Sequence, residues 1–179
     1  MGDRSAVIKP LKGAERAALD RIVRDAGPRV YAYVRRVFPN LDAEEIVSET
    51  FFRATRNMKT LMMTERRVFY LLAIARNLCR DGLRRRRPDL IANTELDRRP
   101  DEDARPDEVL DDPELRRSLL AAIAQLPDAQ REIVVLRLSS ELRFEQIAEL
   151  LHVPLGTVLS RMHAATRRLS IRLGCFHEP

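Results

Sequence analysis

Apolar residues along this chain recur at helical spacing, and no stretch alternates as a half-buried strand would. The pattern predicts a first helix from about Ala14 to Ala26, ended by Gly27-Pro28, and a second carrying Val30, Tyr33, Val34 and Val37 that stops at "FPN", Phe38 to Asn40. The third opens with "DAEE", where Asp42 can cap free N–H groups and Glu45, three residues on, can reach back as in a capping box. It continues through Ile46, Val47, Thr50, Phe51 and Ala54 to about Asn57. A fourth runs from about Arg67 to Arg86 with Leu71, Ile74, Ala75 and Leu78 inward and Asn77, Arg80, Asp81 and Arg84 outward. The periodicity then lapses from Pro88 to Asp112. It resumes where Asp112 suits an N-cap and Pro113 the first helical position, with Leu115, Leu119, Ala122 and Ile123 as a buried face and a further helix starting near Pro127.

The last periodic stretch, Phe144 to Leu169, reads as two helices joined at a corner. Ile147, Ala148 and Leu151 share one face, Pro154 and Gly156 mark a break, and Val158, Met162, Ala165 and Leu169 form a second stripe. Opposite that stripe stand Ser160, Arg161, Arg167 and Arg168, with Arg172 one turn on and no acid between Glu149 and Glu178. A short helix, a tight turn and a longer helix with a basic outer face describe a helix-turn-helix, whose second helix can enter a major groove. An ordinary helical hairpin with a solvated charged face fits the same pattern. The expected fold class is therefore all-α: two small helical domains, 1–87 and 113–179, joined by an acidic flexible linker over 88–112, the C-terminal one with the helix-turn-helix.

Charge sharpens this division. Residues 1–87 hold 20 Lys+Arg against 10 Asp+Glu, residues 88–112 hold 3 against 10, and residues 113–179 hold 9 against 7. Two basic blocks flank an acidic strip, which points to a polyanion partner for the blocks alone. The strip has three prolines and few large apolar residues, so it buries too little to offset its ordering entropy. No apolar run approaches the roughly 18 residues of a membrane span, and the N-terminus lacks a signal-peptide core, so the expected location is the cytoplasm without membrane insertion. Two cysteines, Cys79 and Cys175, imply no disulfide framework. Cys79 reads as a small core residue, and Cys175 with His177 falls far short of a structural zinc set. His152, His163 and His177 come with no carboxylate or Cys set at hydrolase spacing, so neither an enzyme, a metal site nor a cofactor is expected.

Four segments carry a more specific signal in order: "DAEEIVSETFFRATR" (42–56), "FYLLAIARNLCRDGLRRRR" (69–87), "LPDAQREIVVLRL" (126–138) and "IAELLHVPLGTVLSRMHAATRRL" (147–169). Together they resemble the extracytoplasmic-function (ECF) class of bacterial sigma factors, covering its regions two and four. The resemblance implies a subunit that binds core RNA polymerase, directs it to promoters and helps open the DNA. It implies that the helix with Asp42, Glu45, Ser48, Glu49, Phe52 and Arg53 docks on the polymerase clamp, Ser48 standing where relatives usually carry Gln. An acid-rich face with a phenylalanine anchor suits a basic helical partner.

By the same resemblance the loop from Lys59 to Arg66 and the fourth helix handle the minus-ten element. Asn77 stands where the family reads an unstacked base, and an amide offers both donor and acceptor to a base edge. Unstacked bases need apolar or aromatic platforms: Leu61 and Met62 lie in that loop, which Arg66 ends as a further minus-ten candidate, while Tyr70, where the family usually has Trp, reads more readily as core; Arg80 and Arg84 to Arg87 suit phosphates. For the minus-thirty-five element the candidates are Thr157, Ser160, Arg161, His163, Arg167 and Arg168, with Arg137 as a backbone contact from the neighbouring helix. Leu159 and Ala164 stand where relatives often have basic residues, and Glu141 and His152 each replace a frequent Gly. The family's dedicated anti-sigma factors imply one further partner, and its architecture implies that the acidic strip runs inside the polymerase as a negatively charged strand; acids that merely keep the strip soluble and extended fit the same composition. The rival reading is a regulator using its helix-turn-helix independently of a sigma role.

Overall fold

A computed structural model describes residues 13–86 and 112–174. The N-terminal tail, the strip from 87 to 111 with its proposed path, and the Cys175–His177 end lie outside the described residues. Eight helices and no strand occur among the described residues: α1 (Gly13–Val37), α2 (Ala43–Thr55), α3 (Met58–Met63), α4 (Arg67–Arg86), α5 (Pro113–Ala124), α6 (Asp128–Ser140), α7 (Phe144–Leu151) and α8 (Leu155–Arg172).

Two of these differ from the sequence expectation. The break expected at Gly27-Pro28 is absent, and α1 runs unbroken for 25 residues with Pro28 inside it. Proline removes one helical N–H and disfavours the α conformation of the residue before it. Here that residue is Gly27, which has no Cβ to meet the proline ring, and buried side chains on either side (Ile22 and Ala26, then Val30, Tyr33 and Val34) hold the helix to its neighbours. The loop expected from Lys59 also contains a helix, α3, anchored by the fully buried Leu61.

The caps expected at Asp42 and Asp112 form, though no return bond from the Glu45 side chain completes the capping box at Asp42. Asp42 accepts a hydrogen bond from the Glu45 N–H at 3.0 Å and starts α2. Asp112 accepts from the Glu114 N–H at 2.9 Å ahead of Pro113. The Arg143 N–H donates to the Gln146 side-chain oxygen at 2.9 Å at the start of α7. Two non-glycine residues adopt left-handed backbone: Glu141 after α6 (φ 55) and His152 after α7 (φ 56). These are the two positions where the sequence has replaced an expected Gly.

The helices α1, α2 and α4 pack together around Val30, Tyr33, Val34, Phe51, Leu71 and Ala75, with Cys79 buried as expected. In the C-terminal group α6 packs against α8, and α7 closes the helix-turn-helix over Ile147, Val158 and Ala165. The four consecutive residues Ile133, Val134, Val135 and Leu136 are all essentially inaccessible. A turn apolar all round must be covered all round, and this turn of α6 is: α8 lies on one side of it and α1 on the other, while Arg137 and Leu138 beyond it are exposed. The two helical groups therefore share one continuous core.

Polar contacts follow the same seam. Tyr33 Oη donates to Glu132 Oε1 at 2.8 Å, and Arg76 Nε donates to the same oxygen at 2.9 Å. Arg36 Nη1 donates to Ser139 Oγ at 2.6 Å, Arg66 Nη2 reaches Glu149 Oε2 at 2.6 Å, and Arg29 approaches Glu141 at 3.4 Å. In each ion pair across the seam the arginine comes from the first group and the glutamate from the second. Burial, followed by the Glu132 charge, holds the Tyr33 hydroxyl well above its ordinary range, and the same two causes push the Cys79 thiol up to about 12.

Candidate functional site

Three surfaces emerge where the sequence placed functional residues. On α2 the period that buries Thr50, Phe51 and Ala54 leaves Glu45, Ser48, Phe52 and Arg53 exposed, with Glu49 half-buried beside them. These five share the outer face, as residues three and four apart on a helix do. Phe52 is 45% exposed while its neighbour Phe51 is buried. Glu49 and Arg53 form an i,i+4 ion pair at 2.7 Å, which fixes both side chains along the face. Asp42 differs in kind: its carboxylate is engaged in the cap of α2, so it shapes the surface by starting the helix.

The second surface belongs to α4 and the turn before it. Asn77, Arg80 and Arg84 are exposed, at positions three and four apart, and Arg84 also meets Asp81 at 3.2 Å. Tyr70 is half-buried against the core. The expectation that Leu61 offers an apolar platform to a base fails, because its side chain is 0% exposed and holds α3 to the core. Met62 is half-buried, and it is Met63 that stands out, at 73% exposure. The sequence reading did not single out Met63: six residues are too few for a helical period to set it apart from Leu61 and Met62. Arg66 grips the Glu149 carboxylate of α7 through two nitrogens and lies 4.2 Å from the Phe69 ring centroid.

The third surface is α8. Val158 and Ala165 point inward, while Leu155, Leu159, Ser160, His163 and Arg167 are exposed and Thr157 and Arg161 are intermediate. Ser160 donates to the Thr157 carbonyl at 3.1 Å. Arg168 is turned toward α6, where it donates to Gln130 Oε1 at 2.6 Å, and Arg172 is bonded to Gln125. Arg137 spends one nitrogen on the Leu142 carbonyl at 3.0 Å and stacks 5.3 Å from the Phe144 ring, bracing the corner between α6 and α7. A cation held in this way still presents its remaining N–H groups to solvent.

A cleft of about 470 Å³ opens along the seam between α1, the start of α4 and the α6–α7 corner. Its four arginines (Arg29, Arg66, Arg67, Arg143) face Asp25, Glu65 and Glu141, so its charge nearly cancels and it does not read as a polyanion site. Among the described residues no three His, Cys, Asp or Glu side chains gather as a metal site, and no described helix is long and apolar enough to cross a membrane.

The chain matches two family models: sigma-70 region 2 over residues 22–88 and sigma-70 region 4 over residues 116–169. It is 28% identical to the ECF RNA polymerase sigma factor SigW of Bacillus subtilis, across 93% of this chain and 94% of that one. It is 35% identical to the RNA polymerase sigma factor CarQ of Myxococcus xanthus, across 90% and 92% of the two chains. Among solved structures, the sigma factor RpoE in complex with the anti-sigma factor NepR from Bartonella quintana superposes with a TM-score of 0.65 at 20% identity, covering 88% of this chain and 97% of that one. That likeness concerns the fold and spans both helical groups.

Proposed function

The chain belongs to the ECF family of RNA polymerase sigma factors, and from that premise we propose how its surfaces divide the work of initiation. The region 2 match sets aside a regulator acting through its helix-turn-helix alone. The protein is a transcription initiation factor that acts as a polymerase subunit at promoters.

Residues 1–87 form the unit for core polymerase and the minus-ten element, 113–179 the unit for the minus-thirty-five element, and 88–112 the acidic connection. The outer face of α2 binds core polymerase through Glu45, Ser48, Glu49, Phe52 and Arg53. On α4, Asn77 contacts a base of the opened minus-ten strand while Arg80 and Arg84 meet phosphates, which position without reading sequence. Met62, Met63 and Tyr70 border that surface, and Arg66 joins it when freed from Glu149. On α8, Thr157, Ser160, Arg161, His163 and Arg167 face the minus-thirty-five duplex, with Arg137 and Arg168 at its margin. The work is carried out in the cytoplasm by binding and melting, with no chemical step at this chain's own residues. An anti-sigma factor is a fitting partner, since the similar RpoE structure holds one.

The observation that carries the docking role is Phe52. A large aromatic half out in solvent, centred among acids, contributes little to its own core and matches the buried anchors that dominate protein interfaces. Phe52→Ala and Glu45→Lys are expected to weaken assembly with core polymerase by about tenfold or more, with helicity by circular dichroism unchanged. Unaltered assembly of both variants would refute the α2 docking face.

A further inference from the structure

The first six residues of α8, Leu155 to Ser160, carry no charged side chain: the run is Leu-Gly-Thr-Val-Leu-Ser. In a helix-turn-helix this end of the second helix enters the groove and its first residues meet base edges. Val158 is turned into the core, and the Ser160 hydroxyl proton is directed at the Thr157 carbonyl. What the end presents outward is Leu155, 38% exposed, and Leu159, 45% exposed, one turn apart on the same face. The arginines lie further along: Arg161 is half-buried, Arg167 exposed, and Arg168 and Arg172 are held by glutamines of the neighbouring elements.

Single exposed leucines on a protein surface need no explanation. Two in register, on the tip of a helix whose flanks are basic, form an apolar strip on a surface that meets DNA. In the major groove the one alkyl group on a base edge is the C5 methyl of thymine, and the base-edge nitrogens and oxygens are hydrogen-bond donors or acceptors that leucine would leave unpaired. Residues four apart stand about 6 Å apart along a helix, close to two base steps of about 3.4 Å.

We infer that Leu159, with Leu155 beside it, selects thymines within two base steps of each other in the minus-thirty-five element by packing against their C5 methyl groups. This rests on the proposed role of α8. Leu159 thereby reads by methyl contact, and Arg167 and Arg161 supply the phosphate contacts that hold the helix in place.

The experiment uses the full chain assembled with core polymerase. Promoters selected by this holoenzyme from a randomised duplex library define the upstream element, and each thymine in it is then replaced by uracil, which removes the methyl and nothing else. Wild-type protein is expected to lose about fourfold in binding at one or two thymines, the worth of burying one methyl-sized group. Leu159→Ala should abolish that difference at one position while leaving circular dichroism and the remaining sequence preferences intact. Leu159→Arg should shift the same position toward guanine, which arginine contacts through O6 and N7. An element without thymine, uracil replacements without effect, or equal methyl dependence in wild type and Leu159→Ala would each overturn the inference while leaving α8 as the upstream reader. Absence of any upstream preference would instead overturn the role of α8, and this inference with it.

Discussion

His152 closes α7 in the left-handed region, with Val153 N–H reaching back to the Ala148 carbonyl at 3.1 Å. An L side chain there costs roughly 1–2 kcal/mol, which glycine avoids while giving back about 0.5–1 kcal/mol through its freer unfolded chain. His152→Gly should therefore stabilise the protein by about 0.5–1 kcal/mol, read as a rise of a few degrees in the thermal midpoint; an unchanged or lower midpoint would contradict this. Asn77→Ala belongs to the same scale. On the proposed reading it should weaken open-complex formation and relax preference at one minus-ten position by about 1–3 kcal/mol. Equal loss on every promoter variant would mean that Asn77 touches no base. The helical period put Asn77 on the outward face, but its role, like the singling out of His152 as a replacement for a frequent Gly, came from the family resemblance. The burial of Leu61 was legible in neither. Within a six-residue element the period is too short to separate a base platform from a core anchor, and only the packing of α3 decides.

At the scale of elements, local signals predicted starts better than ends. Asp42, Asp112 and Pro113 begin helices because capping chemistry is local. The continuity of α1 through Pro28 was hidden because it depends on what α1 packs against. The seam between α6 and the first helical group makes this dependence measurable. Arg76 and Glu132 are only 13% and 16% exposed, and removing one member of such a pair strands the other charge. Glu132→Ala should accordingly destabilise the packed molecule by about 3 kcal/mol, more than twice the effect of Glu149→Ala, whose pair with Arg66 is about half exposed and worth about 1 kcal/mol at most. Denaturant unfolding of the two variants tests the ranking, and equal midpoints would defeat it.

For the whole molecule, the sequence separated two helical groups by charge and composition but gave no sign that they share a core. The apolar run in "REIVVLRL" requires that one turn be covered on every side, but nothing in it names α1 as the cover. That shared core has a pH signature. Tyr33 and Cys79 are neutral in it, with folded values raised above the unfolded ones. Their contribution to stability is therefore complete below the unfolded thiol value of about 8.5, and it declines as pH rises beyond it toward 12. The thermal midpoint should fall steeply above about pH 9, and the Cys79 thiol should resist alkylation at pH 8 until the chain is unfolded, as peptide mapping would show. A flat midpoint to pH 11, or rapid native labelling of Cys79, would contradict the buried neutral pair.

The hydrogen bond between Tyr33 and Glu132 also gives the molecule an optical gauge of its own state. The chain has three tyrosines and no tryptophan, so its ultraviolet emission is tyrosine emission, with no indole to drain it by energy transfer. A phenol bonded to a carboxylate oxygen is dim, because the excited hydroxyl surrenders its proton to that acceptor. Parting α1 from α6 takes the acceptor away and leaves Tyr33 facing water. Protein titrated with denaturant should brighten as α1 parts from α6, and Tyr33→Phe, which keeps only Tyr31 and Tyr70, should lose most of that rise, which turns one 2.8 Å contact into a label-free readout of whether the two helical groups are together.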